Sequence, residues 1–317
     1  MNVVFMGTPE FSVGILDEIN KVHNVTLVVT QPDTFNIKKK QMVSSPVKEW
    51  AISHNIEVFQ PEKIREDYGR ILEVPCDIIV TAAYGQIVPV EVLEYPRLKA
   101  INVHGSLLPK YRGGAPIQRA IINGDKETGI TIMYMAKKMD AGDILYQEKL
   151  PILDSDIQDT VFSKLSALAS SLINDVIDKL DKGLLKGIPQ NEEEVTYAYN
   201  LTKEDEHIDF SKTARDCFNQ IRGLNSNPTG YFILDEQNVK VYSSIEKMTE
   251  MCYNKGLKSK RTGTIIGINK DSFDVLCGDD SVLSILELKI PGKNRMMVKD
   301  FLNGQGRKIL EVGKELS

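Results

Sequence analysis

Residues 1–30 read MNVVFMGTPEFSVGILDEINKVHNVTLVVT, and this stretch indicates the fold class. Its pattern predicts a strand over Asn2–Met6, a turn at Gly7, a helix over Glu10–Lys21 and a second strand over Val25–Thr30. A strand, a helix and a strand in this order form a βαβ unit, whose two strands lie parallel in one sheet. We therefore expect an α/β, Rossmann-like domain with a parallel sheet that helices cover on both faces.

The alternation of strands and helices continues to a long helix, which we predict over Asp159–Leu180 because apolar residues recur there every three or four positions. Beyond this helix the pattern changes to short strands separated by turn residues, which is typical of a small barrel or a sandwich. The expected organisation is a first domain over 1–183, a linker over 184–204 and a smaller, OB-like β-barrel domain over 205–317.

The composition excludes several classes of protein. A hydrophobic fraction of 42% is ample for a core, and a net charge of −5 argues against a globally basic nucleic-acid binder. No apolar run approaches the length of a membrane-spanning helix, and no secretory signal is evident. The four cysteines form no C-x-x-C pair, so neither a disulfide scaffold nor a zinc site is indicated. These features predict a cytoplasmic location.

The turn after the first predicted strand disfavours a nicotinamide cofactor. A dinucleotide site needs G-x-G-x-x-G at this turn, but only Gly7 is present, and Pro9 has no amide hydrogen to donate. The chain also lacks a Walker A loop and the H-E-x-x-H and G-x-S-x-G motifs.

Two polar residues interrupt a predicted buried strand near residue 100. Asn102 and His104 are two positions apart, so they lie on the same face of the strand, whereas Ile101 and Val103 lie on the other. Open α/β sheets bind ligands at the carboxyl ends of their strands, which makes this pair a candidate site. The alternative is that the strand ends at Ile101 and that both polar residues lie in a solvated turn.

Two further segments carry candidate functional residues. The loop over residues 106–116 holds apolar side chains beside two adjacent glycines, which indicates that it lines a pocket. The turn over residues 139–143 carries Asp140 and Asp143. The alternative for these carboxylates is local hydrogen bonding within the turn, for which aspartate is common.

Motifs in these segments resemble one enzyme family. They are Asn102-Val103-His104-Gly105-Ser106-Leu107-Leu108-Pro109, then Tyr111-Arg112-Gly113 with Ala115-Pro116, then Met139-Asp140-Ala141-Gly142-Asp143. Shorter matches occur at Phe5–Phe11, Thr30–Asp33, Ser45–Lys48 and Pro291–Met296. In these motifs the chain resembles the folate-dependent formyltransferases, and the resemblance covers essentially its whole length.

The resemblance implies the reaction and the residues that perform it. The formyl donor would be 10-formyltetrahydrofolate, and the acceptor would be the free amino group of methionyl initiator tRNA. The catalytic residues implied are Asn102, His104 and Asp140, without a metal. Residues implied to contact the folate are Ser106, Leu107, Leu108 and Pro109. The family also implies a monomer, and it implies that the OB-like domain over 205–317 helps to bind the tRNA.

A lysine run is the candidate tRNA contact. Lys38, Lys39 and Lys40 lie in a predicted polar loop over residues 31–45, where three adjacent cations could meet RNA phosphates. The alternative is a solvated loop, and the same alternative holds for the basic cluster over Lys255–Arg261.

Two other functions stay open at this point. A formyltransferase that acts on a small amine, such as an amino sugar nucleotide, would keep the same catalytic residues without needing the lysine run. A non-catalytic RNA-binding protein that has kept the fold of an enzyme would not need those catalytic residues at all.

Overall fold

The computed structural model describes residues 1–36, 40–247 and 261–317. Lys38, Lys39 and most of the basic cluster Lys255–Arg261 therefore lie outside the described residues. The chain forms two compact units. The first comprises residues 1–116, 127–151 and 161–199, and the second comprises 117–126, 152–160 and 200–317.

The first unit contains a seven-stranded sheet with the strand order β5-β2-β1-β6-β7-β8-β9. Its strands are β1 (Asn2–Gly7), β2 (Asn24–Val29), β5 (Val58–Phe59), β6 (Ile78–Ala82), β7 (Ala100–His104), β8 (Glu127–Tyr134) and β9 (Ile144–Pro151). The five strands from β5 to β7 are parallel, as the sequence predicts. β8 and β9 run antiparallel, so the prediction of a purely parallel sheet is wrong at this edge. A connection of only nine residues joins β8 to β9, which suits a hairpin and is too short for a helical crossover.

The predicted polar loop over residues 31–45 contains a small hairpin. Strands β3 (Thr34–Asn36) and β4 (Gln41–Val43) pair antiparallel, with Phe35 opposite Met42. The prediction of a loop without secondary structure is therefore wrong for these residues. Strands of three residues are too short to show a periodic pattern in the sequence. The paired side chains of Phe35 and Met42 are 60% and 58% exposed, so no buried face marks these strands either.

Ten α-helices occur among the described residues, besides a 3₁₀ helix over Glu192–Glu194 and a π-helix over Leu302–Gly306. They are α1 (Glu10–Val22), α2 (Pro46–Ser53), α3 (Gly69–Leu72), α4 (Val90–Leu93), α5 (Pro116–Ile122), α6 (Gln158–Asp181), α7 (Lys203–Glu206), α8 (Ala214–Gly223), α9 (Val298–Phe301) and α10 (Arg307–Ile309). The predicted helix over Asp159–Leu180 is confirmed as α6. Ser45 caps α2 by accepting a hydrogen bond from the Lys48 amide at 3.1 Å. Within the described part of the chain, no helix has both the length and the apolar character needed to cross a bilayer.

The second unit contains an antiparallel sheet with the order β10-β11-β14-β13-β12, and β15 pairs with β14. Its strands are β10 (Tyr231–Leu234), β11 (Gln237–Lys247), β12 (Ile265–Ile268), β13 (Phe273–Leu276), β14 (Val282–Lys289) and β15 (Met296–Met297). The rings of Phe232 and Phe273 meet edge to face in its core, with their centroids 6.3 Å apart. The prediction of a smaller domain of short strands is thus confirmed, as a half-barrel.

Candidate active site

Asn102 and His104 lie in the interior of the first unit's sheet. β7 continues through His104, with Asn102 opposite Thr81 of β6 and His104 opposite Thr131 of β8. The alternative in which the strand ends at Ile101 is therefore wrong. Because the two residues are two positions apart on one strand, their side chains share a face of the sheet.

Thr81 holds the side-chain amide of Asn102. The Thr81 hydroxyl donates a hydrogen bond to Asn102 Oδ1 at 2.7 Å. Because this bond occupies the carbonyl end of the amide, the Nδ2 end is left to donate hydrogen bonds to a reactant.

The imidazole of His104 faces oxygen atoms on both sides. Its Nε2 lies 2.9 Å from the backbone carbonyl of Tyr111, and since a carbonyl oxygen only accepts, Nε2 carries the proton of this hydrogen bond. Its Nδ1 lies 3.7 Å from Asp140 Oδ2. The structure therefore brings His104 and Asp140 together, although 36 positions separate them in the sequence. The Tyr111 carbonyl, which the sequence did not identify, orients the ring.

The carboxylate of Asp140 is held by a loop that is distant in sequence. Asp140 lies in the connection between β8 and β9 with a φ of 51°, and Oδ2 accepts a hydrogen bond at 2.9 Å from the Gly113 amide. Its side chain is only 13% exposed. The carboxylate thus faces His104 and the loop around Gly113, rather than serving only its own turn.

The residues expected to contact folate form a pre-shaped loop directly after β7. Ser106 is buried and its hydroxyl donates to the Lys110 carbonyl at 2.7 Å. Leu108 is buried; its amide donates to Thr131 Oγ1 at 3.1 Å, and its carbonyl accepts from Gln147 at 2.7 Å. Leu107 and Pro109 stay partly exposed. Contact of these four residues with folate stays a prediction.

A hydrogen bond between Arg112 and Gln190, which the sequence did not predict, lies beside the candidate site. The Arg112 guanidinium is fully buried and donates to Gln190 Oε1 from Nη2 at 2.8 Å and from Nε at 3.1 Å. The Gln190 amide in turn donates to the carbonyls of Asp140 at 2.9 Å and Gly142 at 2.8 Å. This chain of hydrogen bonds connects the turn that carries Asp140 to residues near 190. Arg112 stands in a recognised motif, but no sequence signal connects it with a glutamine 78 positions away.

The guanidinium of Arg112 also forms an ion pair with the exposed carboxylate of Glu192. Glu192 accepts from Arg112 Nη2 at 2.7 Å and from Lys138 Nζ at 3.0 Å. The Arg112 guanidinium and then the Lys138 ammonium lower the pKa of Glu192 to about 2. Glu192 therefore stays ionised, and Arg112 keeps a charged partner, throughout the neutral pH range.

Gly113 is expected to be essential for the position of Asp140. Its φ of 124° disfavours any side chain, and a Cβ there would lie 2.7 Å from the Ala198 carbonyl oxygen. We expect Gly113→Ala to cost about 1–3 kcal/mol of unfolding free energy and to lower kcat as the amide moves away from Asp140. Thermal unfolding and steady-state kinetics measure both effects.

Gly183→Ala is the matched control, since Gly183 also has a positive φ of 66° but would have no neighbour within 4 Å of a Cβ. It should lose stability from backbone strain and keep kcat. A Gly113→Ala protein with an unchanged kcat would contradict the role of the amide.

The arrangement suits acyl transfer to an amine. Nδ2 of Asn102 is an amide donor for oxygen that gains negative charge, and His104 and Asp140 are groups that can move a proton. Among the described residues, no group of three or more His, Cys, Asp or Glu side chains is placed to hold a metal ion.

Comparison with known proteins identifies the family. Residues 1–177 match the formyl transferase family, and residues 200–306 match the formyl transferase C-terminal domain. The methionyl-tRNA formyltransferase of Halalkalibacterium halodurans is 46% identical over 319 residues, covering 100% of this chain and 98% of that protein. The chain belongs to the methionyl-tRNA formyltransferase family. The Staphylococcus aureus methionyl-tRNA formyltransferase is 42% identical over 316 residues, covering 99% of each chain.

Solved structures share the fold of this formyltransferase. The sugar 3N-formyl transferase WlaRD, solved with dTDP and 5-N-formyl-THF, matches with a TM-score of 0.67 at 19% identity, covering 93% of this chain and 99% of that one. The Helicobacter canadensis N-formyltransferase, solved with folinic acid and dTDP-3-aminofucose, matches with a TM-score of 0.67 at 20% identity, over 89% and 98% of the two chains. The fold class and the family resemblance expected from sequence are therefore confirmed, and the protein is a formyltransferase enzyme.

Proposed function

We propose that this enzyme transfers a formyl group from 10-formyltetrahydrofolate to the amino group of methionyl initiator tRNA, and that the formylated product serves in translation initiation. The observation that carries the proposal is the 46% identity over the full chain. The site agrees with the proposal, because His104 Nδ1 lies 3.7 Å from Asp140 Oδ2 at the carboxyl end of β7. Open α/β sheets bind their ligands at the carboxyl ends of the strands.

The loop after β7 fits a formyl donor. Leu107 and Pro109 are partly exposed and leave apolar surface accessible in this loop, whereas the polar groups of Ser106 and Leu108 are already bonded within the protein. The loop can therefore keep its shape while apolar contacts receive the donor's ring system. When bound, the donor supplies the electrophilic formyl carbon that the amine attacks.

Each catalytic side chain has a separate task in this reaction. Asn102 donates its Nδ2 hydrogen to the formyl oxygen, where negative charge develops as the amine attacks. Asp140 receives, through a water molecule, the proton that the amine loses. His104 supplies a proton or hydrogen bond to the same centre, and its ring is held by the Tyr111 carbonyl. The bond between the formyl carbon and the folate nitrogen then breaks, and this nitrogen takes up one proton as tetrahydrofolate leaves.

A formylation assay with alternative acceptors tests the function. Consumption of 10-formyltetrahydrofolate should require methionyl-tRNA and should not occur with an amino sugar nucleotide. Formylation of the amino sugar alone would favour the enzyme that acts on a small amine. Absence of turnover with every acceptor, even in a single-turnover experiment, would favour the non-catalytic RNA-binding protein.

The lysine run is proposed to contact tRNA phosphates. Lys40 is exposed, with a φ of 51°, in the connection between β3 and β4, and Lys38 and Lys39 lie outside the described residues. We expect a triple alanine variant of Lys38–Lys40 to raise KM for methionyl-tRNA. Each lysine that contacts a phosphate releases counterions and so favours binding, and the variant would lose these contacts. The slope of log K against log[salt] should flatten by roughly two to three units.

The control is a triple alanine variant of Lys63, Lys149 and Lys179, which are exposed lysines of the same unit. Binding of methionyl-tRNA, measured from low to moderate salt, compares the two variants. Identical salt slopes for the wild type and the Lys38–Lys40 variant would show that the run makes no phosphate contacts.

The domain limits 1–183, 184–204 and 205–317 stay predictions from the sequence, as do the monomeric state and the cytoplasmic location.

A further inference from the structure

Two neighbouring tyrosines present their rings to solvent in the first unit. Tyr197 is 46% and Tyr199 is 69% exposed, and their rings lie parallel, with centroids 5.7 Å apart and planes 12° apart. Residues two positions apart in an extended segment share a face, which explains the common orientation. The pair forms an exposed aromatic surface, here called the tyrosine platform.

The tyrosine platform adjoins the loop that orients the catalytic histidine. Tyr197 pairs in parallel with Arg112, with the Arg112 amide donating to the Thr196 carbonyl at 2.9 Å and the Ala198 amide donating to the Arg112 carbonyl at 2.7 Å. The residue before Arg112 is Tyr111, whose carbonyl accepts the hydrogen bond of His104. The backbone of the platform therefore lies one strand spacing, about 5 Å, from the loop that holds His104.

The chemistry of the acceptor places a nucleobase near this position. An aminoacyl group is esterified to the last ribose of a tRNA, so only a few covalent bonds separate the reacting amine from the terminal nucleotide. The 3′ end of tRNA is single-stranded, and its bases have no pairing partners. Proteins hold such bases by stacking them on aromatic side chains.

We propose that Tyr197 and Tyr199 form a stacking site for an unpaired nucleobase at the 3′ end of the aminoacyl-tRNA. This inference rests on the proposed function and adds a binding site to it. Stacking contributes binding free energy for the terminal nucleotide equally in the substrate complex and in the transition state, so it sets the affinity for the tRNA and not the rate of the chemical step.

The charges around the tyrosine platform favour contact with a base over contact with the phosphate backbone. Glu193 and Glu194, a few positions before Tyr197, are exposed carboxylates, and their negative charges repel phosphates. Glu192 differs, because Arg112 and Lys138 neutralise it. The contribution of the platform to binding should therefore be insensitive to salt, unlike that of a lysine contact.

The double variant Tyr197→Leu/Tyr199→Leu tests the stacking site, since leucine keeps apolar bulk and removes the aromatic face. We expect KM for methionyl-tRNA to rise about five- to 150-fold, which corresponds to the loss of one stacked base. The values of kcat and of KM for the formyl donor should stay near those of the wild type, and the salt slope of tRNA binding should not change. The conservative Tyr197→Phe/Tyr199→Phe variant should recover the low KM.

A fluorescent base supplies a readout that does not depend on turnover. With 2-aminopurine in place of the terminal adenine of the tRNA, the wild-type protein should quench the fluorescence on binding and the leucine variant should not. Tyr95→Leu is the matched control, because Tyr95 is 40% exposed and belongs to the same unit but lies outside the site. It should behave as the wild type.

The outcomes separate the stacking site from the proposed function. An unchanged KM and unchanged quenching in the leucine variant would overturn the stacking site while leaving the proposed function intact. A changed salt slope would also overturn it, because it would mean that the tyrosines act on the phosphates. A wild-type protein that formylates no methionyl-tRNA would refute the proposed function itself.

Discussion

Replacing His104 with alanine is expected to lower kcat for formyl transfer about 10²–10⁴-fold, with binding of the formyl donor preserved. The imidazole is held between the Tyr111 carbonyl at 2.9 Å and Asp140 at 3.7 Å, so its removal takes away a positioned group for proton transfer. Asp140→Ala should cause a loss of similar size. Steady-state kinetics with methionyl-tRNA, together with a separate measurement of folate affinity, distinguishes lost chemistry from lost binding.

The double variant His104→Ala/Asp140→Ala should be little slower than either single variant, because residues that act as a unit do not contribute additively. His54→Ala is the control, since His54 is exposed in another part of the same unit and should leave kcat unchanged. Turnover near that of the wild type in His104→Ala would refute the catalytic assignment.

Asn102→Ala is expected to lower kcat about 10²–10³-fold, the usual cost of removing one donor to a developing oxyanion. KM for the tRNA should change little, because this hydrogen bond strengthens only as charge develops on the formyl oxygen. Thr81→Val should give a smaller loss in kcat, about two- to tenfold, since it removes the 2.7 Å hydrogen bond that orients the amide.

Thr81→Ser restores the hydroxyl and should recover most of the activity. This rescue distinguishes orientation of Asn102 from a packing defect, because serine lacks the threonine methyl group but keeps the donor. If Thr81→Ser is as slow as Thr81→Val, the hydroxyl does not position Asn102.

Much of the first unit could be predicted from short stretches of sequence. The alternation over residues 1–30 predicted β1, α1 and β2, and the apolar periodicity over 159–180 predicted α6. The antiparallel direction of β8 relative to β7 was not predicted, because strand direction depends on which strands pair. For β9, the short connection of nine residues after β8 was the available sequence signal of a hairpin. The hairpin of β3 and β4 was missed because its strands are too short to show a period.

Some residues of the candidate site could likewise be predicted from the sequence, and others were found only in the structure. The spacing of Asn102 and His104 placed them on one strand face, and motif resemblance added Asp140. The Tyr111 carbonyl, Thr81 and the Arg112–Gln190 bond came only from the structure.

The sequence by itself determined the α/β class and the second domain of short strands, because these depend on local periodicity, and its motifs supplied the candidate catalytic side chains. Only the tertiary structure decided what holds those side chains in place. Gln190 reaches Arg112 across 78 positions, and Gly113 reaches Asp140 across 27. Such contacts leave no local pattern, because they form only when the sheet brings distant loops to the same edge.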